Sequence, residues 1–179
     1  MSPNPHKTIR FDKAFRLLKK GKPLKDCSVK GILNLYSDGL WEEEVMIQNC
    51  FIEDFNTMTV RFNKQITIKD CHIKSASFNW AHFVGGLTIQ NCLFDNYLDF
   101  EGGGHNNPGN LYLIEKNEFK DFVNFNDCWF TGDVAILNNN FNKGTNISSD
   151  EQWITMDGKL TVEDNVGQTD INSDCRNEI

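Results

Sequence analysis

The chain has 179 residues, 39% of them hydrophobic and 14 of them Phe, which suits one domain with a core of useful size. Its net charge of −7 is uneven: residues 1–30 carry nine Lys/Arg and two Asp, residues 31–179 nine Lys/Arg and 23 Asp/Glu. So acidic a body repels phosphates, which argues against direct nucleic-acid binding and permits a basic partner.

No apolar run reaches the ~18 residues of a transmembrane helix, so no membrane association is expected. The start, MSPNPHKTIRFDKAF, lacks the apolar stretch of a signal peptide, and a cytoplasmic location is expected. In that setting the six cysteines read as buried free thiols, not as a disulfide frame.

Residues 1–44 read as an N-terminal helical cap and first coil. The stretch 12–20, DKAFRLLKK, predicts a short amphipathic helix with Ala14, Phe15, Leu17 and Leu18 facing inward. Asp12 is the expected N-cap, Gly21 the C-terminal stop, and Pro23 prevents continuation. A helix there would seal the open end of a repeat array.

Residues 45–167 form the repeat domain. VMIQNCFIE, ITIKDCHIK and LTIQNCLFD share one frame, apolar-x-apolar-x-(Asn/Asp)-Cys-x-apolar. The frame continues with Asn for Cys in YLIEKNEF, VAILNNNF and LTVEDNV, giving the column Cys50, Cys71, Cys92, Asn117, Asn139, Asn165 with spacings of 21, 21, 25, 22 and 26. Periods of this length mark a solenoid. Inside them apolar residues return every five or six positions, which fits neither a helix nor a long strand. It fits a chain that turns a corner about every five residues, with four inward columns. One column is Ile47, Ile68, Ile89, Ile114, Ile136, Val162; the next is Ile52, Ile73, Phe94, Phe119, Phe141. The third is Thr57, Phe78, Phe100, Phe125, Ile147, and the fourth is Phe62, Phe83, His105, Phe130, Gln152. The expected fold is an all-β, right-handed parallel β-helix of about six 21–22-residue coils with a short N-terminal capping α-helix.

The repeats resemble those of the pentapeptide-repeat proteins, whose motif sets a small residue two positions before a central Leu or Phe, as in CWFTGDV, ASFNWAHF and VNFNDCWF. The resemblance implies a right-handed quadrilateral β-helix. It also brings the family's known roles, including acidic members that mimic DNA and bind type II topoisomerases. The coils here run longer than the family's favoured length. Asn117, Asn139 and Asn165 stand where it prefers a small residue and resemble the asparagine ladders of larger β-helices.

Two segments break the period: EGGGHNNPGN at 101–110 and SSDEQWITMDGK at 148–159, both near the fourth column. Residues 168–179 read as a polar tail. His6, His72, His82 and His105 lack metal-ligand spacing, so no metal or cofactor is expected. The outward register places Trp80, Trp129 and Trp153 on the side between the third and fourth columns. Glu101 and Asp127 flank Trp80, His82 shares a column with Trp129, and Asp99 lies nearby. Exposed tryptophans among acids are typical of protein-binding hot spots. Trp80, His82, Asp99, Glu101, Asp127, Trp129 and Trp153 are therefore the candidate partner-binding residues.

The expected function is a non-catalytic, acidic protein-binding solenoid that blocks or protects a protein partner, either immunity-type or DNA-mimic-type. The alternative is a carbohydrate-binding or carbohydrate-cleaving β-helix, with Asp99 and Asp127 as the carboxylate pair.

Overall fold

The computed structural model describes residues 7–36, 38–149 and 153–172. The chain coils seven times into a parallel β-solenoid. The first side of each coil is one strand of a seven-stranded parallel sheet. Its strands are Leu24–Lys25, Val45–Gln48, Ile66–Lys69, Leu87–Gln90, Tyr112–Glu115, Val134–Leu137 and Leu160–Glu163. A nine-stranded parallel sheet covers the next sides, and two short strand pairs, Leu40–Trp41 with Arg61–Phe62 and Trp129–Phe130 with Thr155–Met156, complete the coil.

The count exceeds six because Leu24 pairs with Ile47, so a full turn already lies between these two residues. Cys27 heads the Cys/Asn column, with its Sγ 3.5 Å from Cys50 Sγ.

The four inward columns are present. Ile47, Ile52, Thr57 and Phe62 are all buried, as are their described counterparts in the next coils except the half-buried His105 and Val162. Aromatic rings stack along the axis: Phe94 on Phe119 at 5.1 Å, Phe119 on Phe141 at 5.0 Å, and Phe100 on Phe125 at 4.9 Å. A buried Phe side chain contributes about 1.5–3 kcal/mol by leaving water.

One residue keeps its expected register but not its expected direction. Gly104 pairs with His82 and Trp129, which sets His105 level with Phe83 and Phe130, but His105 has φ 59. Gly104 has φ +97, and a Cβ there would lie 2.6 Å from the Trp129 carbonyl oxygen. This twist turns the His105 ring outward, onto His82. The vacated interior is filled by Tyr112, which lies 5.8 Å from Phe83 and 5.0 Å from Phe130. Gln152 lies outside the described residues, and Met156 stands opposite Phe130 instead.

Each coil turns two corners through the left-handed region. One set is Asp26, Asn49, Asp70, Asn91, Lys116, Asn138 and Asp164, at φ between 51 and 56. This explains the Asn/Asp that precedes the Cys/Asn column in the repeat, since these residues tolerate positive φ best after Gly. The other set includes Thr59, Trp80, Gly102, Asp127 and Trp153.

The Cys/Asn column points inward and bonds in two ways. The thiols of Cys50, Cys71 and Cys92 lie nearest a carbonyl of their own coil, Gln48 O at 3.2 Å, Lys69 O at 3.0 Å and Gln90 O at 3.2 Å. The amides instead donate to a carbonyl of the preceding coil: Asn117 Nδ2 to Ile89 O at 2.9 Å, Asn139 Nδ2 to Ile114 O at 2.9 Å and Asn165 Nδ2 to Ile136 O at 2.7 Å. The amides also accept: Asn139 Oδ1 takes the Asn117 backbone N–H at 2.9 Å and Asn117 Nδ2 at 3.0 Å. The five described cysteines are free and buried. Contact with Cys27 works to lower the Cys50 thiol's pKa, but contact with Cys71 and burial outweigh it and push it up to about 12.

The capping helix spans Phe11–Leu18. Its N-cap is Arg10, not Asp12. Asp12 lies in the first turn, where it pairs with Arg16 at 3.0 Å and Arg10 at 3.3 Å. The reason is a strand, Lys7–Arg10, that runs parallel to Cys27–Asn34 up to the helix and sets its start. Ala14 and Leu18 are buried against the first coil, and Phe15 meets Trp41 edge-on at 5.7 Å.

Candidate functional site: an aromatic and acidic side of the solenoid

The left-handed corner column Thr59, Trp80, Gly102, Asp127, Trp153 borders the outward column Arg61, His82, Gly104, Trp129, Thr155. Both interruptions emerge here. Between Gly104 and Tyr112 the chain takes eight steps where the preceding coil, His82 to Leu87, takes five. Between Thr145 and Thr155 it takes ten, against six from Val123 to Trp129. Length added on either side of the Trp129 column leaves the other sides in register.

The segment after Gly104 is tied down. Asn106 is fully buried, and its Nδ2 donates to Asn110 O at 2.7 Å and Asp133 O at 3.0 Å. Asn110 Nδ2 donates to Val84 O at 2.8 Å. The segment therefore does not fold over the tryptophans. Trp80 is 50% exposed, Trp129 47% and Trp153 81%.

Two of the rings have fixed seats. Trp80 lies against Gly102, where an added Cβ would come within 2.5 Å of Trp80 Cε3. Trp129 Nε1 donates to Asp157 Oδ2 at 2.8 Å. Below Trp129 the His105 ring sits at 5.8 Å, and His82 follows at 4.0 Å from His105. Burial, then the charges of His105 and Arg61, hold the His82 imidazole well below its usual value, at about 4. Burial and Arg61 lower His105 as well. At neutral pH this stack is therefore uncharged apart from Arg61, whose Nε donates to Asn63 Oδ1 at 3.3 Å.

The expected residues are not all equivalent. Asp127 is exposed and Glu101 half-buried beside Trp80. Asp99 differs, because it is 6% exposed and faces the corner's interior. Its Oδ2 accepts Asn79 Nδ2 at 2.6 Å, and its Oδ1 accepts Asn124 Nδ2 at 3.0 Å and the Glu101 N–H at 3.1 Å. It belongs to a second polar column, Asn34, Asn56, Ser77, Asp99, Asn124, in which four members bond the N–H two residues on. Asp99 is thus a brace beneath the surface, and its occupied oxygens do not make an open carboxylate pair with Asp127. Asp157 is the acid that touches a tryptophan. Sequence reasoning missed it because the adjoining segment breaks the repeat count.

Elsewhere, a groove of about 680 Å³ follows the Asp70–Asn91–Lys116–Asn138 corner. An apolar groove of about 390 Å³ lies beside the helix, lined by Phe11, Phe15, Ile32 and Tyr36. Among the described residues no three His, Cys, Asp or Glu side chains cluster as a metal site, and no helix is long and apolar enough to cross a membrane.

Fold and surface together define a parallel β-solenoid with an exposed, seated aromatic side edged by carboxylates. No family model, no curated protein and no solved structure matches the chain.

Proposed function

We propose that this protein is a non-catalytic binding module whose Trp80–Trp129–Trp153 side holds a protein partner, blocking or protecting it. The observation that carries the reading is the placement of Trp80 and Trp153 at φ 56 and 52. An aromatic residue in the left-handed region costs about 1–2 kcal/mol, and other coils use Thr59, Gly102 and Asp127 there. Trp153 is 81% exposed, so burial does not repay that cost there, and the half-exposed Trp80 keeps half of its surface in solvent. Strain kept at an exposed aromatic is what a recognition surface requires. The resemblance to pentapeptide-repeat proteins and the acidic body support an immunity-type or DNA-mimic-type role. The free thiols support a reducing, cytoplasmic setting.

The test is capture from the source lysate on immobilised protein, at low and high salt, with Trp80→Ala/Trp129→Ala beside the unmodified chain. The expected result is a discrete protein retained by the unmodified chain and lost by the variant. Equal retention by both, or a glycan captured in place of any protein, would overturn the reading.

A further inference from the structure

We propose that the partner segment received by this side carries arginine, with a guanidinium lying on the Trp129 ring and reaching the Asp157 carboxylate at its edge. This rests on the protein-binding reading above and adds the chemistry of the contact.

The geometry is that of a built receptor for a planar cation. The Trp129 ring is held by its own Nε1–Asp157 Oδ2 hydrogen bond of 2.8 Å, so ring and carboxylate sit side by side in a fixed relation. Asp157 is exposed, and one oxygen is engaged by the indole. A guanidinium stacked on an indole face gains the cation–π attraction, and its fork of N–H groups meets a carboxylate at the ring edge. An ammonium lacks the flat face and the fork. Trp80 offers a second ring on Gly102, with Glu101 and Asp127 in the adjoining positions. The histidines between do not oppose a cation at neutral pH, and Arg61 is turned toward Asn63. The body contributes long-range attraction of the same sign through 23 Asp/Glu against nine Lys/Arg in residues 31–179.

The experiment follows tryptophan fluorescence during titration with three peptides, one of alternating glycine and arginine, its lysine counterpart and its citrulline counterpart. Citrulline keeps the shape and removes the charge. The arginine peptide is expected to bind roughly two- to five-fold tighter than the lysine peptide, the range an exposed cation–π contact supplies, and the citrulline peptide not to bind. Asp157→Asn keeps an acceptor for Trp129 Nε1 while removing the charge. Asp164→Asn removes the same charge one side of the coil away, beyond the strand Leu160–Glu163, where Asn already serves at positions 49, 91 and 138. Only the first is expected to weaken binding. Equal affinity for arginine and lysine, binding of citrulline, or equal effects of the two Asn variants would overturn the proposal. So would a lysate partner that depends on Trp80 and Trp129 but is not displaced by the arginine peptide. That last result would leave the protein-binding function standing and remove the arginine assignment alone.

Discussion

Replacing Asn139 tests whether the inward column holds the coils together. Asn139 is 1% exposed. Its Oδ1 accepts the Asn117 backbone N–H at 2.9 Å, and its Nδ2 donates to Ile114 O at 2.9 Å and Asn165 Oδ1 at 3.0 Å. Asn139→Ala orphans the Asn117 backbone donor and removes one of the bonds to Ile114 O, which sits in a strand paired on both sides. The orphan costs about 1–3 kcal/mol and the lost bond about 0.5–1.5 kcal/mol, so the total is about 2–4 kcal/mol. Asn139→Cys should recover little of that, because the thiols of Cys71 and Cys92 lie nearest a carbonyl of their own coil, at 3.0 and 3.2 Å, and a thiol does not replace the accepted N–H. The assay is urea unfolding followed by circular dichroism, with the slope compared between variants. A loss below about 1 kcal/mol for Asn139→Ala at unchanged slope would refute the reasoning, since water or a neighbour would then be satisfying those groups.

Other outcomes follow from the same structure. Phe125→Ala, which empties a fully buried site stacked on Phe100, should cost about 3–5 kcal/mol in the same unfolding assay. Trp129→Ala should cost about 1–2 kcal/mol, well below the roughly 3–5 kcal/mol of a fully buried ring, and a core-sized loss would remove it from the binding surface. Gly102→Ala should displace the Trp80 ring, read as a shift in tryptophan emission that is absent when Trp80 is already Ala. Because the His82 pKa is depressed from 6.5 to about 4, the folded state resists a proton that the unfolded chain accepts. Its contribution to stability should be full above pH 6.5 and fall as the pH drops toward about 4. His82→Gln should flatten that part of the profile, and an unchanged profile would count against a depressed His82.

The solenoid was legible because stacking forces like onto like. The six-membered Cys/Asn column and the fivefold apolar rhythm fixed the inward positions from Ile47 to Ile147 without any structure. Cys27 escaped because the first coil has no matching nonapeptide, only LKDCSV, and because an eight-residue strand runs through its corner. The outward tryptophans were visible as apolar residues out of phase. The role of Asp99 was not. A carboxylate two residues from a corner reads the same whether it faces solvent or, as here, caps the turn and bonds two asparagines from neighbouring coils. His105 was counted into the right register beside Phe83 and Phe130, but the positive φ of Gly104 and His105, which no count reveals, turns its ring outward.

The two long excursions lie on one edge of the molecule, and elsewhere the coils differ only by single residues, as between Phe94 and Leu98 or between Val29 and Ile32. The bonds of Asn106 and Asn110 fasten the base of the 105–111 excursion, while Asn107, Pro108 and Gly109 at its tip are exposed. A segment of different length or composition grafted at that tip would leave every ladder of the coil in register. The protein therefore has the form of a rigid ruler with one exchangeable margin, and new specificity could be written there without refolding the rest.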